Sequence, residues 1–314
     1  MFRPLSFRSV PYFLIALGVL TCQTSAGQQA VRYDGPIIDV HLHAEGEVSV
    51  ENRPCKPAPC TRSPTLATSG AEIKVMTLAA MARNNVVLGL VSDLPARVFD
   101  WVEGHDEFVV GVMVETPSDV GLPELRAWLE SGRAHYIGEV TAQYAGVPID
   151  DPSLDPLFAL AHELDVPVHV HVLGGGGSPD FPVHIGNPLR LVPVLQKYPG
   201  LRIQMENAGW PFLEELTALM YQYPSVYADV STILTHRPPD VALGYVKSLV
   251  DNGLGRRIMY GSDQMIWPEV IDEGIELIQS AEFLSVEEKA DFFYNNAARF
   301  LRLSEEQIAS HHRR

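Results

Sequence analysis

Basic residues are scarce in this chain: 23 Lys and Arg stand against 39 Asp and Glu, a formal charge of −16. Nucleic acids and anionic membranes are bound through basic footprints, so this balance argues against both as partners. Cysteine is scarcer still, with 3 in 314 residues and none at metal-ligand spacing. There is no low-complexity tract and no internal repeat beyond a strand-helix rhythm. No glycine-rich phosphate turn follows the first apolar strand, where an open dinucleotide-binding sheet would carry it. The run "GGGG" at 174–177 lacks the lysine of a phosphate loop and reads as a loop. What is present is a 46% hydrophobic chain, enough for a sizeable core and one large domain.

Residues 1–26 differ in kind from the rest. Arg3 and Arg8 precede the apolar stretch "YFLIALGVL", and the small-residue site "TSA" ends at Ala26, the three-part pattern of a secretory signal peptide. The stretch is short for a transmembrane helix, so an uncleaved anchor is the lesser reading. Lipoprotein anchoring through Cys22 in "VLTC" ranks below simple cleavage, because Thr21 stands where a smaller residue is usual. Cleavage removes two arginines and no acid, taking the charge from −16 to −18. The expected product is an exported, periplasmic or secreted domain over 27–314. Export makes a local disulfide between Cys55 and Cys60 the expected state of "RPCKPAPC".

From residue 36 onward, short apolar runs alternate with amphipathic stretches, the signature of βα units and a parallel sheet. The runs "IIDVH", "VVLGLVS", "FVVGVMV", "YIGEV", "VPVHVHV", "LRIQMEN", "VYADVS" and "RIMYGSD" predict eight strands. Helices are expected near 70–85, 95–104, 121–131, 153–165, 187–198, 211–222, 238–253 and 268–280. The economical architecture is a (β/α)₈ TIM barrel. "SVEEKADFFYNNAARFLRL" starts with Ser285 and Glu288 at capping-box spacing and predicts an extra C-terminal helix packed outside it.

Barrel active sites lie at the carboxyl ends of the strands, so the polar residues ending each run are the candidates. They are His41, His43, Glu139, His169, His171, Asn207, Asp229 and Asp263. Strand alternation puts His41 and His43 on one face, where both imidazoles can meet one cation. Imidazoles with an aspartate suit zinc, with manganese the alternative. A single buried histidine is usually a core residue; two His-x-His pairs and a Gly-Ser-Asp at strand ends are not accidental. His171 is the better strand-five ligand, while His169, one step deeper, reads as barrel lining. Glu139 is either a ligand or the buried partner of an imidazole. Asp229 reads as structural. His184, Gln264 and Trp267 lie in loops within reach of substrate, although any one of them taken alone reads more readily as an ordinary exposed loop residue.

"IGEV", "VPVHVH", "AGWPFLEEL", "YPSVYADVS", "RIMYGSDQMIWPE" and "NNAARFLRL", together with the first His-x-His, resemble the amidohydrolase superfamily. The likeness is to its amidohydrolase-related branch, which includes aminocarboxymuconate semialdehyde decarboxylase, and runs from about residue 36 to 303. It implies one divalent metal held by His41, His43, His171 and Asp263. One position departs: the branch ends strand six in His-Ala-Gly-Trp-Pro, and here Asn207 stands for that histidine. Asn donates and accepts hydrogen bonds but does not titrate near neutrality. Alternation is expected to point its neighbour Glu206 away from the site unless the strand end bulges.

The leading expectation is an exported metal-dependent hydrolase of a small-molecule ester, lactone or amide, with Asp263 taking the water proton and Asn207 orienting the substrate oxygen. Decarboxylation of a small unsaturated acid is the alternative on the same residues. A barrel that has lost catalysis with its strand-six histidine is the second class of reading. The partner expected is a small molecule, without nucleic acid or membrane beyond the signal segment, and a homodimer is compatible.

Overall fold

In the computed structural model, which describes residues 31–44, 67–116, 120–173 and 181–313, the eight apolar runs form a sheet of eight parallel strands in sequence order. They are β1 (Ile37–His43), β2 (Val86–Asp93), β3 (Phe108–Val114), β4 (Tyr136–Val140), β5 (Val168–Val170), β6 (Ile203–Met205), β7 (Val226–Asp229) and β8 (Ile258–Met259). Every β1 residue is buried, as a strand covered on both faces requires. β8 is short, and the ring closes on the chain beyond it. Val40 N–H donates to Tyr260 O, Asp263 N–H to His41 O and His43 N–H to Gln264 O, while Leu42 and Gln264 form a parallel bridge. The barrel is therefore sealed by the segment that carries Asp263.

Helices cover the outside: α1 (Gly70–Arg83), α2 (Pro95–Trp101), α3 (Leu122–Glu130), α4 (Asp155–Leu164), α5 (Val192–Lys197), α6 (Leu213–Gln222), α7 (Ser231–His236), α8 (Pro239–Asp251) and α9 (Val270–Gln279). Ser69 caps α1 by accepting from Glu72 N–H, and prolines open α2, α3, α4 and α8, where the missing N–H costs nothing. The helix expected over 187–198 is a 3₁₀ turn, Pro188–Leu191, running into α5. α7 is an addition to the expected set, wedged between β7 and α8.

The C-terminal segment is less regular than a single helix. Its Ser285–Glu288 capping box forms, but α10 (Val286–Ala290) passes through a π turn, Asp291–Asn295, into α11 (Asn296–Leu301), and α12 (Glu305–His311) follows. Nor does it sit wholly outside. Tyr294, Ala297 and Phe300 share a buried cluster with Ile38, Val40, Leu88, Leu90, Tyr136 and Met259, and the Phe300 ring centre lies 6.0 Å from that of His169. These large apolar side chains plug one end of the barrel. No described helix is long and apolar enough to cross a membrane. Cys22, Cys55, Cys60 and the signal segment lie outside the described residues.

Candidate metal centre

Three ligand atoms converge where β1 meets the closing segment. His41 Nε2 and His43 Nε2 are 3.2 Å apart, and Asp263 Oδ1 stands 3.0 Å from His43 Nε2 and 3.3 Å from His41 Nε2. A cation held at about 2.0–2.1 Å places tetrahedral neighbours roughly 3.3 Å apart, so the donor set fits one divalent ion. Alternation along β1 delivers both imidazoles, and the Asp263 N–H bond to His41 O delivers the carboxylate from a position 220 residues beyond His43. Gly261 makes room: a Cβ there would stand 2.9 Å from His41 Cβ and 3.3 Å from the Asp229 side chain.

The tautomer of His41 follows from its neighbours. Asn207 Oδ1 takes the Thr232 backbone N–H at 3.4 Å and the Thr232 hydroxyl at 2.5 Å, which identifies that atom as oxygen. The Ser231 hydroxyl must then donate to Asn207 Oδ1, at 3.2 Å, and can only accept from His41 Nδ1–H, also at 3.2 Å. Nε2 is left bare, facing His43 and Asp263. Asp229 fixes the surrounding backbone by accepting from Asn207 N–H, Ser231 N–H and Gln204 Nε2.

Two more carboxylates crowd this centre. Glu139 pairs with His171 Nδ1 at 2.5 Å through one oxygen and lies 3.6 Å from His43 Nε2 through the other. It is presented by Gly138 at φ +142°, where a Cβ would meet the His169 backbone. His171 stands beside Glu139, outside the convergent trio, and its Nε2 is buried without a partner among the described residues. Glu206 faces inward, contrary to the expectation from alternation: Oε2 is 3.9 Å from His41 Nε2 and Oε1 is 3.7 Å from His169 Nδ1. The reason is that β6 ends at Met205. Gln204 and Glu206 keep the inward side, while Asn207 and Ala208 turn the chain away at φ +56° and +43°. Ala208 in that region costs about 1 kcal/mol, held in part by the Tyr245 hydroxyl on its carbonyl.

Charge in the site is strongly perturbed. Burial acts to depress the His41 imidazole, but Glu206, Asp263 and Asp229 outweigh it and hold its pKa well above 6.5. For His43, burial is likewise overcome, here by Asp263 and Glu139. Burial acts to raise Asp263, yet the two imidazoles bring it down to about 2. Glu206 is pushed well above its ordinary range by burial, with Glu139 and Asp229 adding to it against His41. Burial also keeps His169 neutral, in the barrel wall and stacked on Tyr136 at 3.9 Å. The interior thus demands positive charge, supplied by protons or by a metal.

The remaining sequence candidates are dispersed. His184 is exposed in a 3₁₀ turn, Val183–Gly186. Trp267 is buried. Gln264 belongs to the barrel wall and not to an open loop, since it is buried and its backbone seals β1. Sequence reasoning missed Ser231 and Thr232, which sit just beyond the strand-end residue Asp229. It also missed the rim. There Tyr144, half exposed, has its ring centre 4.7 Å from His171 and 5.5 Å from Phe181. Between α7 and α8, the Arg237 guanidinium lies 3.9 Å over Trp210.

The family profile described as "Amidohydrolase" matches residues 38–303. Among solved structures, an uncharacterized TIM-barrel protein from Bordetella bronchiseptica superposes with a TM-score of 0.62 at 18% identity, over 85% of this chain and 98% of that one. A probable 2-pyrone-4,6-dicarboxylic acid hydrolase from Acinetobacter baumannii gives 0.59 at 13% identity, over 85% and 99%. A dihydroxybenzoic acid decarboxylase from Polaromonas sp., with bound manganese and 2-nitroresorcinol, gives 0.58 at 13% identity, over 87% and 99%. No curated protein matches significantly.

Proposed function

Because the chain belongs to the amidohydrolase family, whose profile spans residues 38–303, we propose that it is an exported metal-dependent hydrolase of a small-molecule ester, lactone or amide. The observation that carries the reading is the convergence of His41, His43 and Asp263 within 3.0–3.3 Å of one another. His41, His43 and Asp263 would hold a divalent cation, zinc or manganese, which when bound would supply an acidified water and a polarised carbonyl. Asp263, whose carboxyl the neighbouring His41 and His43 imidazoles hold below its ordinary range, would take the proton of the attacking water. Asn207 contributes its amide: Oδ1 is saturated by Ser231 and Thr232, whereas Nδ2 is buried with no partner among the described residues and is the donor available to a substrate oxygen. The barrel closure and its plug keep these groups rigid, which is what orientation requires.

A second reading, non-oxidative decarboxylation, is supported by the rim. The Tyr144 and Phe181 rings suit a planar substrate, and Arg237 over Trp210 suits a carboxylate. Both neighbours with named substrates act on planar carboxylic acids. The test is to load the purified 27–314 chain with zinc or manganese and screen pyrone and lactone carboxylates, simple esters and amides, and dihydroxybenzoates. Ring-opened or cleaved product supports the hydrolase, and CO₂ release selects the decarboxylase. Metal-loaded protein that turns over neither class overturns both in favour of a non-catalytic barrel. Export is checked by the amino terminus of the secreted protein, expected at Gly27.

A further inference from the structure

At the plugged end of the barrel, opposite the metal centre, the amino-terminal ends of β3 and β4 and the segments leading into β5 and β6 border a cleft of about 500 Å³. Gln307 and His311 of α12 border it as well. Cavities of this order hold small molecules. The walls are mostly apolar, from Leu88, Phe108, Leu129, Val166, Leu301 and Leu303. Tyr136 reaches the cleft and stacks on His169, so barrel side chains separate it from His41, His43 and Asp263. We propose that this cleft is a second ligand site, which takes a monocarboxylic acid with a compact apolar body. It stands independently of the metal-dependent reading.

The polar lining is mainly a set of donors. Val110 N–H donates to His135 Nδ1 at 3.1 Å, so the ring carries its proton on Nε2; burial holds its pKa below 6.5 and keeps it a neutral donor. Gln307 Oε1 accepts the Ser304 N–H at 2.8 Å in the α12 capping box, which leaves the Nε2 amide to donate. Arg202 brings charge. Its side chain is 13% exposed, Nη1 and Nη2 donate to the Phe300 and Asp165 carbonyls, and Nε has no partner among the described residues. The Asp165 carboxylate, 3.6 Å from Nη2, is shared with Arg302. Two guanidiniums on one carboxylate leave a net positive charge beside the apolar walls, and a ligand carboxylate answers both that charge and the donors. Asp106, exposed in the lining, favours a ligand with one acidic group over a ligand with two.

The test is calorimetric titration of octanoate and of 1-octanol into the mature chain, both zinc-loaded and chelator-treated. Wild type, Arg202→Met and Leu303→Trp are compared, and circular dichroism confirms each fold. Expected is one octanoate per chain in both metal states, bound about 10- to 100-fold more tightly than 1-octanol, with that preference lost in Arg202→Met. Leu303→Trp, whose indole takes up cleft volume, should weaken both probes about tenfold or more. The comparison of the two probes on wild type needs no variant, so a variant that fails to fold does not shield the inference from refutation. Octanoate bound no more tightly than 1-octanol overturns it, as does saturable binding of neither. Binding confined to the zinc-loaded protein assigns octanoate to the metal centre and overturns it too, and undiminished binding in a folded Leu303→Trp does the same by placing the ligand elsewhere. A chain that takes up no metal sinks the metal-dependent reading alone, because the chelator-treated titration still decides this one.

Discussion

Replacing Ser231 with alanine removes the acceptor of His41 Nδ1–H and little else. Asn207 Oδ1 keeps both bonds from Thr232, so the turn after β6 retains its anchor. The nearest remaining acceptor for His41 Nδ1 is Asp229 Oδ1 at 3.5 Å, beyond good hydrogen-bond range. At a pH alkaline enough that the metal-free imidazole is neutral, it escapes the loss by keeping its one proton on Nε2, toward Asp263. With a cation on Nε2 it cannot, and a buried N–H is stranded at about 1–3 kcal/mol. In that alkaline range the whole cost falls on the metal-bound form, so affinity measured there should drop about 5- to 150-fold at a tenfold change per 1.4 kcal/mol. Competition against a chromophoric chelator measures this directly, and melting of the metal-free variant should stay close to wild type. Affinity within twofold of wild type in a folded variant refutes the tautomer argument and makes Asp229 the residue that orients His41.

Metal retention should weaken as pH falls, because ligands bind deprotonated. The metal-free His41 and His43 are both raised above 6.5, so proton competition begins above that pH, and chelator competition from pH 9 down to 5 should show affinity falling throughout its lower half. A flat profile down to pH 5 contradicts the assigned ligands. Asp39, buried beside the seam and accepting from His41 and Ser262 N–H, is raised by that burial from 3.8 to about 7. A folded pKa above the unfolded one gives stability that is full below pH 3.8 and lost as pH rises through 7, on the order of 4 kcal/mol. Asp39→Asn keeps the acceptor without the charge, so its urea midpoint at pH 8 should equal or exceed that of wild type; a lower midpoint rejects the assignment. Gly261→Ala puts a methyl 2.9 Å from His41 Cβ, and should cost about 1–3 kcal/mol of stability together with metal affinity. Unaltered melting and metal binding would show that the seam has room.

The barrel was legible because its signals are local and periodic. Apolar runs ended by polar residues mark each strand, and His41 and His43, two apart on one strand, must share a face whatever the fold around them. The prolines and capping residues that open helices are likewise readable in place: the Ser285–Glu288 box formed as its spacing required. The helix beyond it did not run straight, since the π turn at Asp291–Asn295 and the burial of Phe300 under the barrel depend on what the segment packs against.

At the site, the chain by itself named the residue types at the strand ends, and the tertiary structure decided which of their atoms meet. Alternation predicts direction only while the chain remains a strand. Where β6 stops and Asn207 turns left-handed, the rule that placed Glu206 outside the site no longer applies at the turn, and Glu206 stays inside. Ser231 and His41 are 190 residues apart, so their hydrogen bond leaves no pattern in composition or spacing. The sequence determined the barrel, its eight strands and the pair of imidazoles that begin the site, because each depends on neighbours along the chain. Only the closed ring decided that Asp263 would complete the pair, because its backbone bond to His41 exists when the first strand and the segment after the last lie side by side.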